Sequence, residues 1–126
     1  MKRTILIADD EPNIVLSLEY LLQREGFEVL VARDGQEALD AVARHRPDLV
    51  LLDVMLPRLS GYEVCQRLRE DPALAGLRIV MLTAKGREGE VSKGLALGAD
   101  VYVTKPFSTR ELLATIQSQL GGTPAA

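Results

Sequence analysis

Five polar residues stand directly after apolar runs. Asp9 and Asp10 follow Thr4-Ile5-Leu6-Ile7-Ala8, Asp53 follows Leu49-Val50-Leu51-Leu52, Thr83 follows Ile79-Val80-Met81-Leu82, and Lys105 follows Val101-Tyr102-Val103-Thr104. A carboxylate at the carboxyl end of a buried strand is delivered from the core into a cleft, where poor solvation demands a compensating charge. In open α/β sheets ligands bind beyond those strand ends, so all five residues would meet in one crevice. Three crowded carboxylates repel one another and at least one pKa rises unless a cation is present. A hard divalent ion with oxygen ligands removes the conflict, and Mg²⁺ keeps several waters in such sites. Lys105 adds a second positive charge and Thr83 a hydroxyl donor. The set has no Ser–His or Cys–His pair and no dinucleotide glycine fingerprint, which argues against peptide cleavage and hydride transfer. It suits a phosphoryl group on Asp53: the carboxylate attacks in line while Mg²⁺, Lys105 and Thr83 take the equatorial oxygens.

The elements that must position these groups are legible from periodicity. The run 48–53, bounded by Pro47 and Pro57, reads as a parallel strand buried on both faces. Thr4–Ala8, Phe27–Val31, Arg78–Leu82 and Val101–Thr104 complete five strands. Pro12 suits a first helical turn, and Ile14, Val15, Leu18, Leu21 and Leu22 share one helical face that closes at Gly26. Asp34 with Glu37 starts a second helix with Ala38, Leu39 and Val42 inward, ending by Pro47. A third helix begins near Ser60-Gly61, carries Val64, Cys65 and Leu68 inward, and ends at Asp71-Pro72. A fourth, Arg87 to Leu97, is the weakest, with Gly86, Gly89 and Gly94 raising its entropy cost. Ser108 and Glu111 cap a fifth, whose buried positions are Leu112, Leu113, Ile116 and Leu120. Strands alternating with helices predict an α/β fold: a doubly wound parallel sheet with right-handed crossovers. Residues 1–120 form one domain, and 121–126 read as a tail or the start of a linker.

Composition narrows the function classes. The 126 residues carry a net charge of −3, which argues against general affinity for nucleic acid or anionic membrane. No apolar stretch reaches spanning length and no signal-peptide layout is present. The single cysteine, Cys65, fits core packing in a reducing cytoplasm. His45 is the only histidine and lies among Arg44, Arg46 and Pro47 at a helix end, so a histidine-rich metal site is excluded.

The motifs ILIADDEP (5–12), DLVLLDVMLP (48–57), IVMLTA (79–84) and YVTKPF (102–107) resemble those of the response-regulator receiver domains of two-component signalling, in the same order, over about residues 3–120. The resemblance implies a (βα)5 flavodoxin-like fold with strand order 2-1-3-4-5. It implies that Asp53 is the phosphoacceptor and that Asp10, Asp53 and the backbone carbonyl of Met55 ligate Mg²⁺, with Asp9 acting through water. Lys105 would pair with phosphoryl oxygens and, at rest, with Asp53, and its bond to Pro106 would be cis. Thr83, with Ala84 beside it, and Tyr102 resemble the switch pair that changes the surface of the fourth helix, fifth strand and fifth helix.

The implied partners are a sensor histidine kinase or phosphotransfer protein and a downstream protein target or fused output domain. Val91, Val101 and Thr115 stand where winged-helix DNA-binding relatives carry charges, although Asp100 and Glu111 remain. That departure points to a stand-alone regulator or a receiver of another class, a monomer or weak phosphorylation-dependent dimer. Two rival readings are an aspartate-nucleophile phosphatase and a phosphorylation-independent adaptor. Met55 occupies the position of the second acid that the phosphatase chemistry needs, so the chain is read as no enzyme. The intact set of Asp10, Asp53, Thr83 and Lys105 argues against the adaptor. Asp48, at the far end of its strand, reads as a surface residue.

Overall fold

Each apolar run becomes a strand of one parallel sheet. The computed structural model describes residues 2–84 and 96–121. In chain order these give β1 (Thr4–Ala8), α1 (Pro12–Arg24), β2 (Glu28–Ala32), α2 (Gly35–His45), β3 (Leu49–Asp53), α3 (Gly61–Arg69), a 3₁₀ turn (Pro72–Leu74), β4 (Arg78–Ala84), β5 (Val101–Lys105) and the C-terminal helix α4 (Thr109–Gln119). The strand order is β2-β1-β3-β4-β5, as expected. The expected fourth helix falls largely on residues 85–95, outside the described residues, so the C-terminal helix carries the label α4.

The sheet separates two apolar layers because successive strand residues face opposite sides. Leu6, Val50, Leu52 and Met81 pack with Ala38 and Val42 of α2 and Val64, Cys65 and Leu68 of α3. On the other face, Ile5, Ile7, Leu49, Leu51, Val80 and Leu82 pack with Val15, Leu18 and Leu22 of α1 and Leu112 and Ile116 of α4. β3, with both neighbours paired, is buried throughout. Full burial on both faces explains why that run is uninterruptedly apolar up to Asp53.

Several local choices fix the helix starts. Glu37 N–H donates to the Asp34 side chain and Glu111 N–H to Ser108. Ser60 and Glu63 form a full reciprocal capping box on α3, a signal present in the sequence as Ser-x-x-Glu. Gly61 starts α3 in contact with the end of β3. Its N–H donates to the Val54 carbonyl at 3.0 Å, and a Cβ there would run into the Asp53 carbonyl oxygen and lie 2.8 Å from Val54 Cα.

One expectation is extended and one needs correction. Asp71 does more than end α3: its side chain accepts from Ala73 N–H and caps the 3₁₀ turn. Asp48 is not an idle surface residue. Its carboxylate accepts from Thr4 N–H at 2.8 Å, while its own backbone donates to Thr4 and accepts from Arg78. It therefore ties together the amino ends of β1, β3 and β4, opposite the crevice. Asp100 is also engaged internally, paired with Arg69 at 2.7 Å and Arg78 at 3.5 Å and accepting from Ile79 N–H.

Candidate functional site

Register brings the polar strand ends level. Ala8 pairs with Leu52 and Asp53 with Leu82, so Asp9 and Asp53 leave neighbouring strands together and Thr83 follows one residue later on β4. Ala84 pairs with Lys105 and Met81 with Tyr102. By the twofold period, Met81, Thr83, Tyr102 and Thr104 share one sheet face. Tyr102 packs, half-buried, against the apolar layer of α2 and α3.

Asp9, Asp10 and Asp53 each present a carboxylate oxygen, all within 4.8 Å of one another. Asp9 is completely buried and Asp53 nearly so, while Asp10 is exposed. The buried Asp9 carboxylate is fully compensated. One oxygen accepts from Glu11 N–H at 2.9 Å and the other from Lys105 Nζ at 2.9 Å. Asp53 has less support, with Met55 N–H donating to Oδ1 at 3.1 Å and Lys105 Nζ standing 3.5 Å from Oδ2. Burial, opposed by the Met55 hydrogen bond and the Lys105 charge, holds the Asp53 carboxyl above its usual range, and Asp9 and Asp10 push the same way. For Lys105 burial pulls the pKa down. The hydrogen bonds to Asp9 and Glu11, with the charges of Asp53 and Asp9, outweigh it and keep the ammonium above its usual value.

The expected resting pair of Lys105 with Asp53 is thus the longest of three contacts. Its hydrogen-bonded partners are Asp9 and Glu11, the latter at 2.9 Å, and Glu11 was absent from the sequence-derived set. The only hint was its place in the acidic run 9–11, because the contact joins residues 94 apart in the chain. The Met55 side chain projects outward, 55% exposed, leaving its backbone at the acidic cluster. Ala84 is exposed at the end of β4, and the Lys105–Pro106 peptide bond is cis.

Thr83 is the anomaly of the site. Its Oγ1 is buried and, among the described residues, has no hydrogen-bond partner. Buried hydroxyls are nearly always satisfied, and this one stands one residue beyond the β4 neighbour of Asp53, where it can donate to a group in the crevice. Three carboxylates at one point are a hard-oxygen donor set of the kind that suits Mg²⁺. The geometry therefore fits a divalent cation beside an oxyanion.

The chain is similar to several known proteins. The Vibrio cholerae chemotaxis response regulator CheY4 superposes with a TM-score of 0.89 at 32% identity, over 94% of this chain and 99% of that one. The receiver domain of the sensor histidine kinase PA1611 from Pseudomonas aeruginosa PAO1, which has a magnesium ion coordinated in its active-site cleft, gives 0.87 at 30% identity over 96% and 99%. The alkaline phosphatase synthesis transcriptional regulatory protein PhoP of Bacillus subtilis (strain 168) is 49% identical over 120 residues, 95% of this chain and 49% of that protein. The chain spans about half the length of this curated relative. The family model described as the response regulator receiver domain matches residues 5–117. That match runs from the second residue of β1 into α4 and takes in every strand and every described helix, and on it the chain belongs to the response-regulator receiver family.

Proposed function

We propose that Asp53 accepts a phosphoryl group from a histidine kinase or phosphotransfer protein in the cytoplasm, in a Mg²⁺-dependent reaction, and that the chain then presents an altered surface to a partner or output domain. Receiver domains are signalling domains that interact with histidine kinases and output domains. The observation that carries the reading furthest is the buried Thr83 hydroxyl, unpartnered among the described residues, one residue beyond the β4 neighbour of Asp53.

The residues divide the work by chemistry. Asp10, Asp53 and the Met55 carbonyl would hold Mg²⁺, with Asp9 acting through water. Bound there, the ion supplies positive charge that lowers the repulsion between carboxylates and phosphoryl oxygens. An Asp53 oxygen attacks phosphorus in line, an O–P bond forms, and the donor's N–P bond breaks with its electron pair going to the leaving imidazole. Met55 N–H holds the other Asp53 oxygen and so orients the nucleophile. Lys105 and Thr83 then donate to the phosphoryl oxygens, which gives the buried Thr83 hydroxyl an acceptor. Tyr102 shares a sheet face with Thr83 and follows that change by turning inward. The surface altered would comprise β5, α4 and residues 87–97, most of which lie outside the described residues.

Intact mass after incubation with a small phosphodonor tests the reading. One phosphoryl group should be gained with Mg²⁺ and none without it. An unchanged mass in Mg²⁺ would favour the phosphorylation-independent adaptor. Lys105→Ala should leave the fold intact and uncouple phosphorylation from output, so a full partner-binding response in that variant would contradict the role of Lys105.

A further inference from the structure

Lys105 reaches three acids but donates hydrogen bonds to two. Asp9 Oδ2 and Glu11 Oε1 both lie at 2.9 Å, whereas Asp53 Oδ2 is at 3.5 Å, beyond the usual N–H···O range. The ammonium is therefore held on the β1 side of the crevice, away from the nucleophile. Asp9 is a fixed partner, buried and anchored at its other oxygen by Glu11 N–H. Glu11 is a replaceable one: its side chain is 57% exposed, so water can take over its carboxylate at little cost.

The placement of Glu11 is a consequence of the start of α1. Glu11 occupies the N-cap position, followed by Pro12 at the first turn, but its side chain makes no capping hydrogen bond. Favoured cap residues are Ser, Thr, Asp and Asn, and glutamate is not among them. Its backbone is fixed by Asp9 on one side and Pro12 on the other, and its side chain turns to Lys105 instead of to the helix.

We infer that Glu11 is a positioning residue that holds the Lys105 ammonium in the resting arrangement and loosens its hold when the ammonium moves to a phosphoryl oxygen on Asp53. The inference rests on the phosphoacceptor reading. The ammonium has a third N–H to spare, so the competition is over its position: Glu11 draws it toward the β1 side and away from a phosphoryl oxygen on Asp53, and so favours the resting state. No bond is made or broken beyond hydrogen bonds.

Glu11→Asp is the decisive variant because it keeps the charge, shortens the reach and places a better cap on α1. Two measurements on the full chain are read together. In the ligand-free protein, the ζ-¹⁵N signal of Lys105 should shift, with faster exchange of its protons with water. With Mg²⁺ present, beryllofluoride should bind about twofold to fivefold tighter to Glu11→Asp and to Glu11→Gln than to the parent, as an exposed ion pair allows. In a Lys105→Ala background the Glu11→Asp gain should vanish. An unchanged Lys105 signal overturns the inference. So does beryllofluoride binding by Glu11→Asp equal to the parent, which would mark a pure charge effect, or a gain that persists without Lys105. If the Lys105 signal shifts but beryllofluoride binds no form of the chain, Glu11 still holds the lysine and it is the phosphoacceptor reading that falls.

Discussion

At the scale of single residues, two buried aspartates that look alike in sequence have unequal surroundings. Asp9 has a donor on each carboxylate oxygen, whereas Asp53 has one backbone donor and a lysine 3.5 Å away. The less compensated group is the one whose ionised form is held back, mainly by burial. That makes it costly to keep charged in the absence of a cation, and on the proposed reading a bound cation would make it available for reaction. The pH dependence follows in sign. Between the ordinary value of 3.8 and the higher folded value, the folded chain holds a proton that the unfolded chain has released. The contribution of Asp53 to stability therefore declines as pH rises through that window, and the penalty is complete above it. Without divalent ions, Asp53→Asn should be more stable than the parent at neutral pH by urea denaturation, with the gap closing toward pH 3.8. A variant less stable than the parent at neutral pH would contradict this account of the Asp53 environment.

At the scale of elements, the site depends on how closely α3 approaches the end of β3. The Cβ of an alanine at position 61 would meet backbone atoms, which cannot swing aside as a side-chain tip can. Gly61→Ala should cost about 1–3 kcal/mol, as overpacking does, and should also weaken phosphoryl uptake because the displaced backbone is that of Asp53 and Val54. Denaturation and phosphorylation rate measured on the same variant check both; normal stability with normal uptake would show that the contact is slack. The strands themselves were legible beforehand because buried parallel strands are nearly uniform apolar runs, and the polar terminators of four of the five strands marked the crevice. What escaped depends on distance along the chain. The Lys105–Glu11 contact spans 94 residues and the Asp48–Thr4 contact 44, and neither leaves a local pattern. The capping box of Ser60 and Glu63, by contrast, leaves the local spacing Ser-x-x-Glu.

At the scale of the whole molecule, three carboxylates and one lysine are gathered at one end of the sheet, and on the proposed reading a divalent cation bound there would stabilise the fold. A ligand that binds only the folded state stabilises it by about 2.7 kcal/mol at one hundred times its dissociation constant. Thermal unfolding should therefore move upward with Mg²⁺ at neutral pH and respond far less near pH 4, where protons compete for the same oxygens. An Mg²⁺ response equal at both pH values would place the ion elsewhere. The central question for the molecule is which aspartate takes the phosphoryl group. The most direct measurement is peptide mapping of the chain after reaction with a small phosphodonor and Mg²⁺, followed by borohydride reduction, which converts a phosphorylated aspartate to homoserine. The predicted result is homoserine at position 53 alone, absent without Mg²⁺ and absent in Asp53→Asn; homoserine at position 9 or 10, or phosphoryl uptake surviving in Asp53→Asn, would contradict it.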